Sequence, residues 1–157
     1  MIEKDTHFLM TILGSFATSL EDTLGFGAKS MSYNSGKSLG IELASKARRT
    51  EDLNEAIDEI SRLFEGAWEI ELFKRSERDE YMFIDEDGRL CCELVFRHCP
   101  IRNTLMREGI EQEGILCYLT HGYIVGALGV VLGKRVDLEI EKAGINACLK
   151  KLIFEED

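Results

Sequence analysis

The residues best able to do chemistry are a set of thiols with one imidazole and one carboxylate. Cys117 and His121 stand four residues apart in the uncharged run from Ile115 to Leu132. On a helix they share a face, and thiolate with imidazole at that spacing can hold one zinc ion. Glu139 lies on the following segment and Cys148 beyond a turn. Cys99 precedes Pro100. With Pro100 as the first helical residue, Cys99 takes the N-cap, where backbone N–H groups favour a thiolate. That helps metal binding and redox reactivity alike. The chain has no CxxC pair, so buried thiols with a core histidine bonded to a carbonyl form the competing reading.

Other constellations are weaker. Cys91 and Cys92 are adjacent in a strand pattern, so their side chains point to opposite faces. Cys99 with His98 or His121 is the one arrangement resembling a nucleophile pair, and no serine–histidine triad is visible. Gly36-Lys37-Ser38 ends like a phosphate loop, but the residue five before Gly36 is Met31, so the glycine cradle is missing.

Gly122, Gly126, Gly129 and Gly133 recur at helical spacing. Each interior glycine disfavours the helix by roughly 1 kcal/mol relative to alanine. Such a face needs either another backbone or a ligand close to it. Tyr118, His121 and Tyr123 flank it, and the strands bring Trp68, Phe73, Phe83 and Phe96, about half of them inward. An apolar cavity with a few polar tips is the usual form of a small-molecule site. The expected ligand is aromatic or lipid-like, held between helix and sheet, with Trp68, Phe96 and Tyr118 its first contacts and Gly126 on the wall.

The elements that must position these groups follow from periodicity. Phe8, Ile12, Phe16 and Leu20, flanked by Leu9 and Leu13, give a helix from about Asp5 to Leu20. Helix continues from Thr18 to Met31, loosened by Gly25 and Gly27. Another runs from Ser35 to Ala47 with Leu39, Leu43 and Ala44 inward. Thr50 caps a third, striped by Leu53, Ile57, Ile60 and Phe64 and ended by Gly66. The period then changes to two over Trp68–Lys74, Tyr81–Ile84 and Leu90–Phe96, an antiparallel meander with a turn at Asp85–Gly88. A short helix over Pro100–Glu108 precedes a long one over Glu113–Leu132. Val136, Leu138 and Ile140 alternate with charged residues, and Cys148–Phe154 forms the last strand of a hairpin. The fold class is α+β.

Composition sets the frame. The 157 residues suit one domain spanning 1–157, with 45% hydrophobic and 31% charged residues. A net charge of −10 repels phosphate backbones and anionic lipid, which argues against nucleic-acid and membrane partners. Lys46, Arg48 and Arg49 are the one dense basic cluster, and a solvated helix end accounts for them. The charged start, Met1-Ile-Glu-Lys-Asp5, does not read as a signal peptide, and with five cysteines a reducing cytoplasm is the expected home. The 18-residue apolar run carries Thr120, His121, two tyrosines and three glycines, so it reads as a buried helix.

From Gly36 to Phe154 the chain resembles the 4-vinyl reductase domain, in versions found in archaeal proteins and in aromatic-sensing bacterial regulators. The resemblance rests on Ser35-Gly-Lys-Ser-Leu-Gly40, on Cys117 with Gly122 and Gly126, and on Glu139, Gly144 and Cys148. His98-Cys-Pro-Ile-Arg102 looks like the cysteine–proline element of related methanogen output domains. The resemblance implies a compact α+β unit, shared with vesicle-tethering subunits of the TRAPP type. It implies a homodimer, for which residues 1–34 form a helical extension, and a small hydrophobic ligand between helices and sheet. It also implies a zinc ion held by Cys117, Glu139 and Cys148. The family's fourth ligand, a cysteine, is Lys142 here, so Cys99 is the candidate to supply it, with His121 in reserve. The expected function is a non-catalytic, zinc-binding sensory or regulatory domain. A cysteine-dependent enzyme using Cys99 or Cys117, and a structural assembly subunit, are the alternatives. No flavin or nicotinamide fingerprint supports a reductase.

Overall fold

The computed structural model describes residues 2–155. Five helices and a five-stranded antiparallel sheet make an α+β fold, as expected. Helices α1 (Ile2–Leu24), α2 (Phe26–Ala44) and α3 (Leu53–Leu63) come first. Strands β1 (Glu69–Phe73), β2 (Met82–Ile84) and β3 (Leu90–Arg97) follow, then α4 (Pro100–Glu108) and α5 (Ile115–Leu132). Strands β4 (Val136–Ala143) and β5 (Ala147–Phe154) close the chain as a hairpin.

The sheet order is β1-β3-β5-β4, and β2 also pairs with β3. Residues 69–73 pair with 97–93 and residues 82–84 with 92–90. The two strands therefore follow one another along the same edge of β3, with residues 74–81 looping out between them. Period-two alternation then sorts the faces. Ile70, Cys92, Leu94, Phe96, Leu138 and Leu152 turn toward α5 and α3 and join the main core with Ile57, Ile60, Ile124, Leu128 and Val131. The other face carries charge. Glu93, 1% exposed, takes Arg75 at 2.6 Å and Arg78 at 3.0 Å from the looped-out segment. Cys91 lies on this face and Cys92 in the core. Both are fully buried, and burial pushes their thiols up, to about 11 and about 12.

Helices α2 and α5 run side by side in the same direction at backbone contact. A Cβ added to Gly36 would sit 2.0 Å from the Leu119 carbonyl oxygen, and one on Gly40 2.0 Å from that of Tyr123. From the other side, a Cβ on Gly122 would meet the Tyr33 oxygen at 1.9 Å and one on Gly126 the Lys37 oxygen at 2.2 Å. Each glycine receives a carbonyl of the facing helix, the close approach that small residues four apart permit. The buried residues of α2 are Ala28, Ser32, Gly36, Gly40 and Ala44. Leu39 and Leu43, expected inward, are exposed, because the space beside α5 admits no side chain of their size. Ser32 adds a hydrogen bond to the Ile115 carbonyl at 2.6 Å.

The N-terminal helix turns most of its apolar stripe away from the body of the fold. It packs on the body through Gly14, Ala17 and Leu20, while Phe8 is 64% and Phe16 61% exposed, with Leu9, Ile12 and Leu13 beside them. It ends at Gly25, whose φ of 56° breaks the expected continuous run. Asp52, rather than Thr50, caps α3 by accepting from the Glu55 N–H at 2.9 Å, and Thr50 buttresses the same turn.

α5 is long and apolar enough to cross a membrane, and 67% of it is buried within the fold. It is the core helix, sandwiched between α2 and the sheet.

Candidate functional site

Strand alternation on β5 places Cys148, Lys150 and Leu152 toward α5, and Lys151 on the charged face. Cys99 caps α4 as expected, its sulfur accepting from the Arg102 N–H at 3.4 Å. The Arg102 guanidinium reaches back to β5, with Nη1 3.8 Å from the Cys148 sulfur and Nη2 donating to the Asn146 carbonyl at 2.9 Å. The Cys148 thiol points at the Gln112 side-chain oxygen, 3.9 Å away. Cys117 adds to this cluster from α5, close enough for Cys99, Cys148 and Lys150 all to act on its thiol, which burial pushes up. The three expected cysteines are thus gathered into one neighbourhood.

Glu139 is not there. It pairs with Lys151 across the hairpin and turns to the charged face, where it binds Arg89 at 3.0 Å and Lys151 at 3.0 Å. The cluster instead includes two buried cations that the sequence patterns did not single out, Lys150 and Arg102. Among the described residues, no three histidine, cysteine or acidic side chains converge so as to hold a metal ion. The four-ligand zinc set of Cys99, Cys117, Glu139 and Cys148 does not fit this arrangement. One member lies across the sheet, and Lys150 and Arg102 place positive charge beside the thiols.

The expected ligand residues also divide. Phe96 is in the core, and Trp68 packs edge-on against Phe64 at 5.3 Å between ring centroids. Tyr123 stacks on Phe64 at 4.7 Å. Phe73 and Phe83 face the charged side, Phe83 beneath the Arg78 guanidinium at 3.6 Å. Gly126 receives the Lys37 carbonyl of α2 and also lines an apolar cleft of about 320 Å³ with Ile41, Val125, Gly129, Val130 and Val136, on a different side of α5 from Tyr118. Trp68, Phe96 and Tyr123 pack within the fold.

Tyr118 and His121 do line a cleft. Its other walls are Tyr33 from α2, Glu113, and residues Asp137–Ile140 of β4, and its volume is about 420 Å³. The Tyr118 and His121 rings are 5.8 Å apart, and the Lys29 ammonium lies 5.3 Å from the Tyr118 ring. The Tyr33 hydroxyl donates to Asp137 Oδ1 at 2.7 Å. Burial and this acceptor hold the Tyr33 phenol well above its usual range. Burial, aided by the Lys150 charge, pushes His121 down to about 3, so its imidazole is neutral at physiological pH. The cleft is a slot with two aromatic walls, a neutral imidazole, the Tyr33–Asp137 phenol–carboxylate pair, and two further acidic residues, Glu113 and Glu139, in its lining.

No protein-family model matches the chain, and no characterised protein matches it in sequence. Solved structures do match it in fold. The fold is similar to that of the phenol-responsive sensory domain of the transcription activator PoxR, determined with phenol. The match covers 92% of this chain and 74% of that one, with a TM-score of 0.59 and 15% sequence identity. That likeness establishes a shared fold.

Proposed function

We propose that this chain is a small-molecule sensory or regulatory domain related to the 4-vinyl reductase family, binding an aromatic molecule in the cleft beside Tyr118 and His121. The observation that carries the reading is that cleft. Its volume lies in the range of small-molecule sites, and the Tyr118 and His121 rings offer stacking surface beside the polar groups of Tyr33, Glu113, Asp137 and Glu139. Support comes from the neighbouring fold, whose phenol-responsive member was solved with phenol. A non-catalytic role is supported by the state of the reactive groups. An imidazole held near 3 is a poor general base, and a thiol pushed up by burial is a poor nucleophile.

The exposed apolar face of α1 supports a symmetric homodimer, since a contiguous patch of this kind marks an interaction surface. An assembly subunit would use the same face, and ligand binding separates the two readings. Phenol and related neutral aromatics should raise the melting temperature of the wild-type protein and not of Tyr118→Ala or His121→Ala. If no aromatic stabilises the wild type, the sensory reading fails. Phe16→Glu should halve the mass measured by light scattering at tens of micromolar. A wild-type protein already monomeric there would refute the dimer.

A further inference from the structure

The cleft beside Gly126 differs in chemistry from the one at Tyr118. Its floor is aliphatic, made by Ile41 of α2, Val125 and Val130 of α5 and Val136 of β4. Val125 and Val136 are buried, Val130 is half-buried and Ile41 is exposed. Lys37, Arg49, Lys134 and Arg135 stand around it, and among the described residues no acidic group and no aromatic ring lines it. That is a ring of cations about one recess, in a chain of net charge −10. Arg135 has a carboxylate partner, Glu155 at 3.9 Å. Among the described residues, no carboxylate lies within ion-pair distance of Lys37, Arg49 or Lys134.

Two ordinary reasons for such an arrangement fail here. Cations gather at helix C-termini to meet unbonded carbonyls, and α5 ends at this cleft. Its final carbonyls are already bonded. Those of Gly129 and Val130 accept from the Lys134 and Gly133 N–H groups, and that of Val131 from the Thr50 N–H at 3.0 Å. Close helix packing accounts for Gly122 and Gly126 but not for Gly129. A Cβ there would meet no atom of α2, only the Lys134 carbonyl oxygen at 3.3 Å. The flank of α5 beside Gly129 is therefore open, and the recess of about 320 Å³ has room for a small molecule.

We propose that this cleft is a second ligand site, for a free aliphatic anion. The hydrocarbon lies on Ile41, Val125, Val130 and Val136, and the anionic head meets Lys37, Arg49 and Lys134. Apolar area taken from water supplies affinity. Charge-assisted hydrogen bonds from the rim fix the head group and favour it over a neutral molecule of the same shape. An aliphatic body suits walls without a ring, and a free molecule suits a recess on a chain whose net charge repels anionic membranes. The site shares no lining residue with the Tyr118 cleft and does not rest on the aromatic reading.

The test titrates the full chain with octanoate, 1-octanol and acetate by calorimetry, and follows the methyl NMR signals of Ile41, Val125, Val130 and Val136. Octanoate should bind at least about tenfold more tightly than octanol, with its shifts centred on those residues, and acetate should not bind measurably. The triple variant Lys37→Gln, Arg49→Gln, Lys134→Gln should lose about tenfold in octanoate affinity and keep octanol within about twofold. All three side chains are exposed, so this variant should fold. Lys4→Gln, Lys74→Gln, Arg107→Gln removes the same charge from exposed positions elsewhere and should bind octanoate as the wild type does. Octanoate binding no tighter than octanol, equal losses in the two triple variants, or shifts centred on α1 or Tyr118 overturn the site. Acetate binding as tight as octanoate overturns it too, leaving only a cationic surface. Association with phosphatidylglycerol vesicles that the first triple variant loses, without octanoate binding, overturns the free ligand in favour of a membrane surface. Phenol binding decides the Tyr118 cleft separately, whichever way octanoate falls.

Discussion

Replacing Gly122 by alanine should destabilise the fold by about 2 kcal/mol or more, although alanine is the better helix former. The added Cβ would lie 1.9 Å from the Tyr33 carbonyl oxygen and 2.8 Å from the Lys37 nitrogen. Ordinary contact begins at 3.4 Å, so the backbones must part by about 1.5 Å at this point, the difference between the two distances. Neither obstacle is a side chain that can swing away. Parting the helices also withdraws the carbonyls seated on Gly36, Gly40 and Gly126, opening gaps along the stripe. Overpacking of a rigid site costs about 1–3 kcal/mol or more, against a return of roughly 1 kcal/mol in helix propensity. Loss of the neighbouring contacts keeps the net at the upper end. At roughly 2–4 °C per kcal/mol for a chain of this size, the melting temperature should fall by about 4–8 °C, and urea unfolding should show a lower midpoint at unchanged slope. Gly27→Ala is the control, because its Cβ would meet nothing within 4 Å, and it should hold or raise stability. If Gly122→Ala melts with the wild type, or Gly27→Ala is the more damaging, the carbonyl-in-notch account of this helix pair is wrong.

Three further outcomes follow from the geometry. His121 binds a proton more weakly folded than unfolded, so its stabilising contribution is full above about 6.5 and declines as pH falls toward 3. Between pH 5 and 6.5 the loss of stability on acidification should be shallower in His121→Gln, and an unchanged slope would contradict a buried neutral imidazole. Glu93→Ala removes the shared partner of Arg75 and Arg78. It should lower the unfolding free energy by about 3 kcal/mol, the bottom of the range for breaking a buried pair, because both arginines reach water; a change under about half a kcal/mol would show the network to be idle. Added zinc should not raise the melting temperature, and zinc-dependent stabilisation lost in Cys117→Ser would reinstate the metal reading.

Much of the architecture was legible because period and punctuation agree. Pro100 and Cys99 mark the start of α4, Gly133 ends α5 with a φ of 63°, and the strand alternation holds through Val136, Leu138 and Ile140. That alternation already required Glu139 to face away from Cys148. The family resemblance drew it into the thiol set against its own phase. The same rule on Cys148-Leu-Lys150-Lys-Leu152 sends one lysine inward, a signal easily passed over because buried lysine is so rare. The α2 face was misread for a different reason. Hydrophobicity favoured Leu39 and Leu43, whereas the packing rewards the smallest side chains, and a hydropathy pattern does not register backbone contact. The α1 stripe was legible as one face of a helix, but apolar periodicity alone does not tell a face buried by its own chain from one left exposed, as Phe8 and Phe16 are here.

The interlocked carbonyls of α2 and α5 also limit how this molecule can move. A slide of one helix past the other by less than a full turn drives a carbonyl onto the flank of a glycine notch, and packed interiors resist such intermediate positions. The pair therefore shifts together or by one whole repeat of four residues. Pressure on α5 at Tyr118 or His121 is carried as rigid displacement to α2, and through Gly25 to the outward apolar surface of α1. The pair is a gear with one tooth spacing, with the cleft at one end and the exposed face of the first helix at the other.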